Sequence, residues 1–143
     1  MSRPVPRGRD AYRWFMTMVT RWADNDAYGH INNTVFYQWF DTAVNQWLVE
    51  SGLLDIEAGD PIGLVVETNC SYFAPLSFPG DVEIGIAVER LGSSSVTYRI
   101  GIFGAHQAVP AAQGNFTHAY VGRDSRRPAP LPETWRSKLE TLA

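Results

Sequence analysis

Residues 34–51 read TVFYQWFDTAVNQWLVES, with apolar side chains every three or four positions. This spacing is typical of an α-helix, and Gly52 directly after it is a residue that often ends one. Asp41 and Glu50 are the only charged residues in the segment. A helix with so wide an apolar face is expected to be buried on most of its circumference. The apolar positions are Val35, Phe36, Trp39, Phe40, Ala43, Val44, Trp47 and Leu48.

Segments with the character of β-strands lie on both sides of this helix. Val82–Leu91 alternates most clearly between apolar and other residues, which is the period of a strand. Glycine-containing turn signals follow Phe78 and Arg90, and the short spacing of the last three strands favours an antiparallel meander. The predicted strands are Phe15–Trp22, Ile62–Pro75, Val82–Leu91, Ser95–Phe103 and Ala111–Val121. The expected fold is therefore α+β, with the helix on one face of an antiparallel sheet of about five strands.

The length of 143 residues fits a single domain. Residues 1–12 are rich in arginine and proline and are expected to form a flexible arm. Residues 125–143 are expected to form a C-terminal tail. Within that tail, Glu133–Leu142 is predicted as a short helix with Pro132 at its first position.

The composition argues against several classes of protein. The net charge is −3 and the one basic cluster is interrupted by Asp124, so no nucleic-acid partner is expected. No apolar run approaches the roughly 18 residues that span a membrane, and the N-terminus does not resemble a signal peptide. Cys70 is the only cysteine, which rules out an intrachain disulfide. A cytoplasmic enzyme or binding protein is the expectation.

The common catalytic motifs are missing from the sequence. It contains neither a Gly-x-Ser-x-Gly elbow nor a glycine-rich phosphate loop. Cys70 lies within a predicted strand and is expected to be a buried structural residue. The three histidines have no zinc-ligand spacing, so we expect no metal and no cofactor.

Polar residues concentrate in Asp24–Asn33, between an apolar strand and the apolar helix. Asp24 and Asp26 are two residues apart, and Gly29 allows a turn or a close backbone approach to a ligand. The segment leads into a helix N-terminus, where free N–H groups can bind an oxyanion. Taken singly, these residues fit a capping loop in which the asparagines cap the helix. Taken together, a carboxylate beside a helix start suits carbonyl chemistry.

The polar segment and the first half of the helix together carry a pattern that resembles a family signature. The pattern consists of Arg21, Asp24, Asp26, Gly29-His30-Ile31-Asn32-Asn33 and Tyr37, followed by Phe40-Asp41 and Ala43. It resembles the signature of the hotdog-fold acyl-CoA thioesterases, in particular the 4-hydroxybenzoyl-CoA thioesterase-like branch. The order of elements also fits, so the resemblance covers most of the chain. It implies a sheet wrapped around a long central helix. It also implies homodimers joined edge to edge, often paired into tetramers, with active sites at the dimer interface.

The resemblance implies that Asp26 is the catalytic carboxylate. It leaves two roles open, because Asp26 could activate a water or attack the thioester carbonyl itself. The implied oxyanion donors are backbone N–H groups of the loop that leads into the helix. That loop comprises Gly29, His30, Ile31, Asn32 and Asn33.

The resemblance assigns supporting roles to further residues. His30 is expected to shape the loop, and Asp24 and Tyr37 to support it. Asp41 occupies a position where many relatives carry a glutamate, and it either faces the interface or makes a structural hydrogen bond. Basic surface residues bind coenzyme A in this family, and the candidates here are Arg90, Arg99 and Arg123.

The implied reaction is hydrolysis of an acyl-CoA to a free acid and CoA. Two alternatives stay open. One is a hydratase or dehydratase on the same scaffold, using His30 with a carboxylate, and the other is a non-catalytic acyl-CoA binder. The acyl group is also open, because Trp39, Tyr72 or Phe73 would suit an aryl or a fatty acyl group, and the carrier could be CoA or acyl carrier protein.

Overall fold

The computed structural model describes residues 3–143, so the first two residues of the expected arm lie outside it. The elements are β1 (Trp14–Val19), α1 (Asn33–Glu50), β2 (Ile62–Tyr72), β3 (Asp81–Leu91), β4 (Ser95–Gly104), β5 (Ala112–Val121) and α2 (Glu133–Glu140). The predicted order of one strand, a long helix and four strands is confirmed. Of the described helices, none is long and apolar enough to cross a membrane.

α1 begins and ends where its sequence provides caps. The Asn32 side chain accepts a hydrogen bond from the Thr34 N–H at 3.0 Å, which satisfies a backbone donor at the helix start. Gly52 follows the helix with a φ of +80°, in the left-handed region that favours glycine. All eight predicted apolar positions are buried. The opposite side of α1, including Asp41 and Gln46, is exposed. The expectation that most of the helix circumference is buried is therefore wrong for a single chain, because the sheet covers only one side of the helix.

The five strands form one antiparallel sheet with the order β1-β3-β4-β5-β2. The predicted meander of β3, β4 and β5 is confirmed. One face of the sheet packs on α1, and the core includes Phe40, Ile84, Ile100 and Phe116. This confirms the α+β arrangement with a sheet around a central helix.

β1 is shorter than predicted. It ends at Val19, and Trp22–Asp24 forms a 3-10 turn instead of continuing the strand. The turn is closed by the Arg21 N–H, which donates to the Asp24 carboxylate at 2.7 Å. This local hydrogen bond outweighs the strand preference of the preceding residues.

The outer face of the sheet is covered by part of the segment expected to be a flexible arm. Tyr12 is buried, and its ring lies edge-on to Phe103 with centroids 5.7 Å apart. A Cβ at Gly85 would lie 2.9 Å from the Tyr12 side chain, and one at Gly101 would lie 2.6 Å from it. These two glycines therefore make room for the ring, and the expected flexibility is corrected for the segment around Tyr12.

β2 forms one edge of the sheet and pairs with β5. It ends at Tyr72 rather than at the predicted Pro75, and its register shifts between Val65 and Glu67. Leu64, Val65 and Val66 are all exposed, Val66 to 62%. A long edge strand with exposed apolar side chains is a surface on which another strand can pair.

The C-terminal segment packs in the core beside β3. Trp135, Leu139 and Leu142 are buried in the core, and the Val88 N–H donates to the Leu142 carbonyl at 2.7 Å. The predicted short helix is confirmed. Pro132 is its N-cap residue rather than its first helical residue.

Candidate active site

The loop that carries the candidate carboxylate is short and closed. The Asp26 N–H donates to the His30 carbonyl at 2.8 Å, and the Gly29 N–H donates to the Asp26 carbonyl at 3.1 Å. An antiparallel bridge joins Asn25 to Ile31. Gly29 has a φ of +78°, which explains why glycine occupies this position. The result is a tight turn that enters α1.

The Asp26 carboxylate is oriented by the backbone of this turn. Its Oδ1 accepts hydrogen bonds from the N–H groups of Tyr28 at 2.8 Å and His30 at 3.3 Å. Within residues 3–143, its Oδ2 accepts no hydrogen bond. Asp26 lines a cleft of about 300 Å³ together with Trp22 and Ala27. One carboxylate oxygen is therefore fixed, and the other is available to a water or a substrate.

Asp24 has a different environment from Asp26. It is 1% exposed and accepts hydrogen bonds from the Arg21 Nε at 2.9 Å and Nη2 at 2.7 Å. The hydrogen bond and charge of Asp24 raise the pKa of Arg21 above its ordinary value. The Asp24 carbonyl also accepts the Asn32 N–H at 2.8 Å. Asp24 therefore holds the loop against the helix start, and its carboxylate is occupied.

A second set of contacts ties the loop to the connection between β2 and β3. The Ile31 N–H donates to the Leu76 carbonyl at 2.7 Å. The Ser77 hydroxyl donates to the Gly29 carbonyl at 2.8 Å, and the Phe78 N–H donates to the Asn25 side chain at 3.0 Å. These contacts join residues about 50 positions apart, so no local sequence signal could have predicted them.

The expected oxyanion donors are mostly engaged. The N–H groups of Gly29, Ile31 and Asn32 donate to backbone carbonyls, and that of His30 donates to Asp26. Among these five residues, Asn33 alone has an N–H with no hydrogen bond to the described chain. The prediction of a row of free amides from Gly29 to Asn33 is corrected to this one amide. It lies at the first residue of α1, where such a group has no intrahelical partner.

Asn32→Ala is expected to lower the free energy of unfolding by about 1 kcal/mol, the usual cost of losing an N-cap side chain. The substitution removes the acceptor of the Thr34 N–H and leaves the Asn32 backbone contacts in place. Denaturant unfolding of both proteins measures the difference. An unchanged midpoint would show that the cap does not stabilise α1.

The supporting residues do not all reach the cleft. Tyr37 is half-buried and packs edge-on against Phe40, with centroids 6.0 Å apart. Asp41 is exposed and accepts a hydrogen bond from the Asn45 side chain at 3.1 Å, so its contact within one chain is structural. His30 is exposed and enters the site through its backbone. Trp22, which lines the cleft beside Asp26, was not predicted.

Of the three candidate arginines, Arg90 and Arg99 lie on the paired strands β3 and β4, and Arg123 follows β5. Arg99 donates to Glu89 at 2.6 Å and to the Ala11 carbonyl at 2.7 Å, on the outer face of the sheet. Arg123 donates to the carbonyls of Gly59 and Ile56. Both guanidinium groups therefore have structural partners, whereas Arg90 is exposed and forms no ion pair with the part of the chain that is described.

The structure also describes the surroundings of Cys70 and of the possible metal ligands, the two kinds of site that the sequence argued against. Cys70 is partly buried, and this burial raises its pKa to about 11, which opposes formation of a thiolate nucleophile. Among residues 3–143, no group of three or more histidine, cysteine, aspartate or glutamate side chains could hold a metal ion.

An antiparallel sheet wrapped around one long helix is the hotdog fold. A family model described as the Thioesterase-like superfamily matches residues 20–139. The chain belongs to this family, and it is a thioester hydrolase. A search of curated proteins found no match.

Solved structures share this fold. The PA5185 protein from Pseudomonas aeruginosa strain PAO1 is 47% identical, with 96% of each chain covered and a TM-score of 0.93. Slr0204 from Synechocystis, a 1,4-dihydroxy-2-naphthoyl-CoA thioesterase, is 22% identical over 90% of this chain and 96% of its own, with a TM-score of 0.80. BH1999, a gentisyl-coenzyme A thioesterase, is also 22% identical, over 89% and 99%, with a TM-score of 0.76. The last two show a shared fold.

Proposed function

We propose that this thioester hydrolase cleaves acyl-CoA to a free acid and CoA, with Asp26 as the working carboxylate. The observation that supports the proposal is the state of that carboxylate. One oxygen is held by two backbone amides, and the other is free beside a cleft at the start of α1. Two proteins of the same fold are described as CoA thioesterases, which agrees with CoA as the carrier.

The free oxygen of Asp26 can serve either mechanism. As a general base, it takes a proton from a water while the water oxygen attacks the thioester carbonyl, and collapse of the intermediate expels the CoA thiolate. As a nucleophile, it attacks the carbonyl and expels the thiolate, and water then opens the mixed anhydride. In both cases the Asn33 N–H at the positive end of α1 is the proposed donor to the oxyanion.

The assay that tests the reaction is release of free thiol from a panel of acyl-CoAs, read with a thiol reagent. Thiol release that requires Asp26 supports hydrolysis at this site. A hydratase would consume an unsaturated acyl-CoA without releasing thiol. A binder would retain acyl-CoA without turnover. His30 gives the hydratase alternative no support, because its exposed ring makes no hydrogen bond within residues 3–143.

The proposal includes a homodimer formed by pairing of two β2 edges, with further pairing into a tetramer left open. The exposed apolar residues of β2 support it, since pairing would cover them and would satisfy the unpaired backbone groups of the edge. A coenzyme A contact by Arg90, Arg99 or Arg123 stays a prediction, and among the three Arg90 is the one whose guanidinium donates no hydrogen bond within residues 3–143.

Val66→Lys is expected to shift the protein from dimer to monomer in sedimentation analysis, because a charge on an edge strand opposes pairing. Val109→Lys is the matched control. Val109 is also 62% exposed, but it lies in the β4–β5 connection. The control should remain dimeric. A dimer in both variants would contradict β2 as the interface.

A further inference from the structure

Large apolar side chains are exposed on both sides of Asp26 in the sequence. Trp22, in the turn that contains Asp24, is 80% exposed, and Tyr28 is 87% exposed. Val19, at the end of β1, is 68% exposed. A single exposed apolar residue is ordinary, whereas several within ten residues of a reactive carboxylate indicate a binding surface.

Of these three residues, Trp22 is the one that lines the Asp26 cleft. The residues of the cleft wall are Trp22, Asn25, Asp26, Ala27 and Gly29. Trp22 has the largest apolar side chain among them, since Ala27 contributes a methyl group and Gly29 has no side chain. A substrate carbonyl placed at the free oxygen of Asp26 therefore has the indole as its main apolar neighbour within the described chain.

The indole of Trp22 is held in place although most of it is exposed. Its ring lies edge-on to Phe78, with centroids 6.0 Å apart and an angle of 87° between the planes. Phe78 is itself fixed by its backbone N–H, which donates to the Asn25 side chain at 3.0 Å. The Arg21–Asp24 ion pair closes the turn that carries Trp22. A ring positioned in this way can receive a ligand with little loss of side-chain freedom.

The charges around the cleft argue against an anionic acyl group. Asp26 is the one charged residue of the cleft wall. Arg21, close by in sequence, donates to the Asp24 carboxylate at 2.9 and 2.7 Å, so its charge is already paired. A carboxylate at the end of an acyl group in the cleft would be repelled by Asp26, and no cation of the cleft wall would offset the repulsion.

We propose that the acyl group lies on the indole of Trp22 while its carbonyl is attacked at Asp26, and that Trp22 thereby selects uncharged, apolar acyl groups. This inference rests on the proposed hydrolysis of acyl-CoA. It adds a specificity-determining residue and a substrate property that Asp26 does not define. The pantetheine arm on the other side of the thioester carries amide groups and is less suited to an apolar ring.

The first test compares acetyl-CoA with hexanoyl-CoA, because only the longer acyl group has methylenes that extend from the carbonyl over the indole. The wild type should have the higher kcat/KM for hexanoyl-CoA. Trp22→Ala should reduce the hexanoyl-to-acetyl ratio of kcat/KM about 10-fold, since methylene groups lose their apolar contact. Trp22→Phe retains an aromatic face and should keep most of the ratio.

Val5→Ala is the control for this comparison. Val5 is 79% exposed, nearly as much as Trp22, but it lies in the N-terminal segment, where its carbonyl accepts a hydrogen bond from the Gln113 side chain at 3.0 Å. The control removes an exposed apolar side chain without changing the cleft. It should keep the wild-type ratio.

A second comparison tests the exclusion of charge. Adipoyl-CoA has the chain length of hexanoyl-CoA but ends in a carboxylate. Its kcat/KM with the wild type should be at least about 10-fold lower, because the carboxylate is repelled by Asp26. Equal or faster turnover of adipoyl-CoA would overturn the inference.

The outcomes separate this inference from the proposed function. Trp22 is largely exposed, so its replacement should leave the fold intact, and Trp22→Gln serves as the second variant if Trp22→Ala does not fold. An unchanged ratio, or an equal loss for both substrates, overturns the inference and leaves hydrolysis standing. Dissociation of Trp22→Ala in sedimentation analysis would assign the ring to a subunit contact and also overturn it. Absence of thiol release from every acyl-CoA would instead contradict the proposed function.

Discussion

Asp26→Asn is expected to lower turnover of acyl-CoA by at least about 100-fold, the usual order for loss of a principal acid–base group or nucleophile. Asparagine retains an oxygen that can accept the N–H groups of Tyr28 and His30, so the turn should keep its shape. The amide lacks the basicity and nucleophilicity of the second carboxylate oxygen. Thiol release under saturating substrate measures the effect, and circular dichroism and sedimentation measure fold and assembly.

Asp10→Asn provides the control for this substitution. It makes the same chemical change in the exposed turn Arg9–Ala11, where the carboxylate accepts no hydrogen bond within residues 3–143. Its turnover should stay within a few-fold of wild type. If Asp26→Asn retained near-wild-type turnover while remaining folded, Asp26 would not carry the chemistry.

Gly114→Ala is expected to destabilise the protein by about 3 kcal/mol, at the upper end of the cost of overpacking. Gly114 lies in β5 opposite Cys70 of β2. A Cβ there would overlap the Asn69 carbonyl oxygen and would lie 3.0 Å from the Cys70 Cα. Backbone atoms of a paired strand cannot move aside as a side-chain end can, so β2 must shift away from β5.

The matched control is Gly104→Ala, which adds the same methyl group at the end of β4. There a Cβ would meet the side chains of Gln107 at 3.2 Å and Leu76 at 3.4 Å, and both can adjust. Denaturant unfolding should place this control close to wild type. Similar midpoints for the two variants would contradict the steric argument at Gly114.

The sequence predicted most of the fold because the main elements carry strong periodic signals. The eight apolar positions of α1 and the alternation in β3 were sufficient to assign both elements. The predicted ends of the strands were less accurate where a local hydrogen bond competed with the strand pattern, as at the turn that Arg21 and Asp24 close. The packing of Tyr12 over Gly85 was beyond reach, because the two residues are more than 70 positions apart.

In the candidate site, too, contacts between residues close in sequence were predictable and contacts between distant residues were not. The resemblance pointed to Asp26, and the structure shows the different environments of Asp26 and Asp24, one with a free oxygen and one enclosed by Arg21. The Arg21-x-x-Asp24 spacing was a usable signal for this pairing. The occupied amide of Ile31 was not predictable, because its acceptor, Leu76, belongs to a distant connection.

That connection has a thermodynamic consequence. Residues 73–80 follow the end of β2 and hold the candidate loop, Asp24–Asn33, through Leu76, Ser77 and Phe78. If β2 is where two copies associate, subunit association and the geometry of the loop are linked equilibria. Specific activity should then fall when the enzyme is diluted below the dissociation constant of the dimer. The factor by which association tightens substrate binding is also the factor by which bound substrate tightens the dimer.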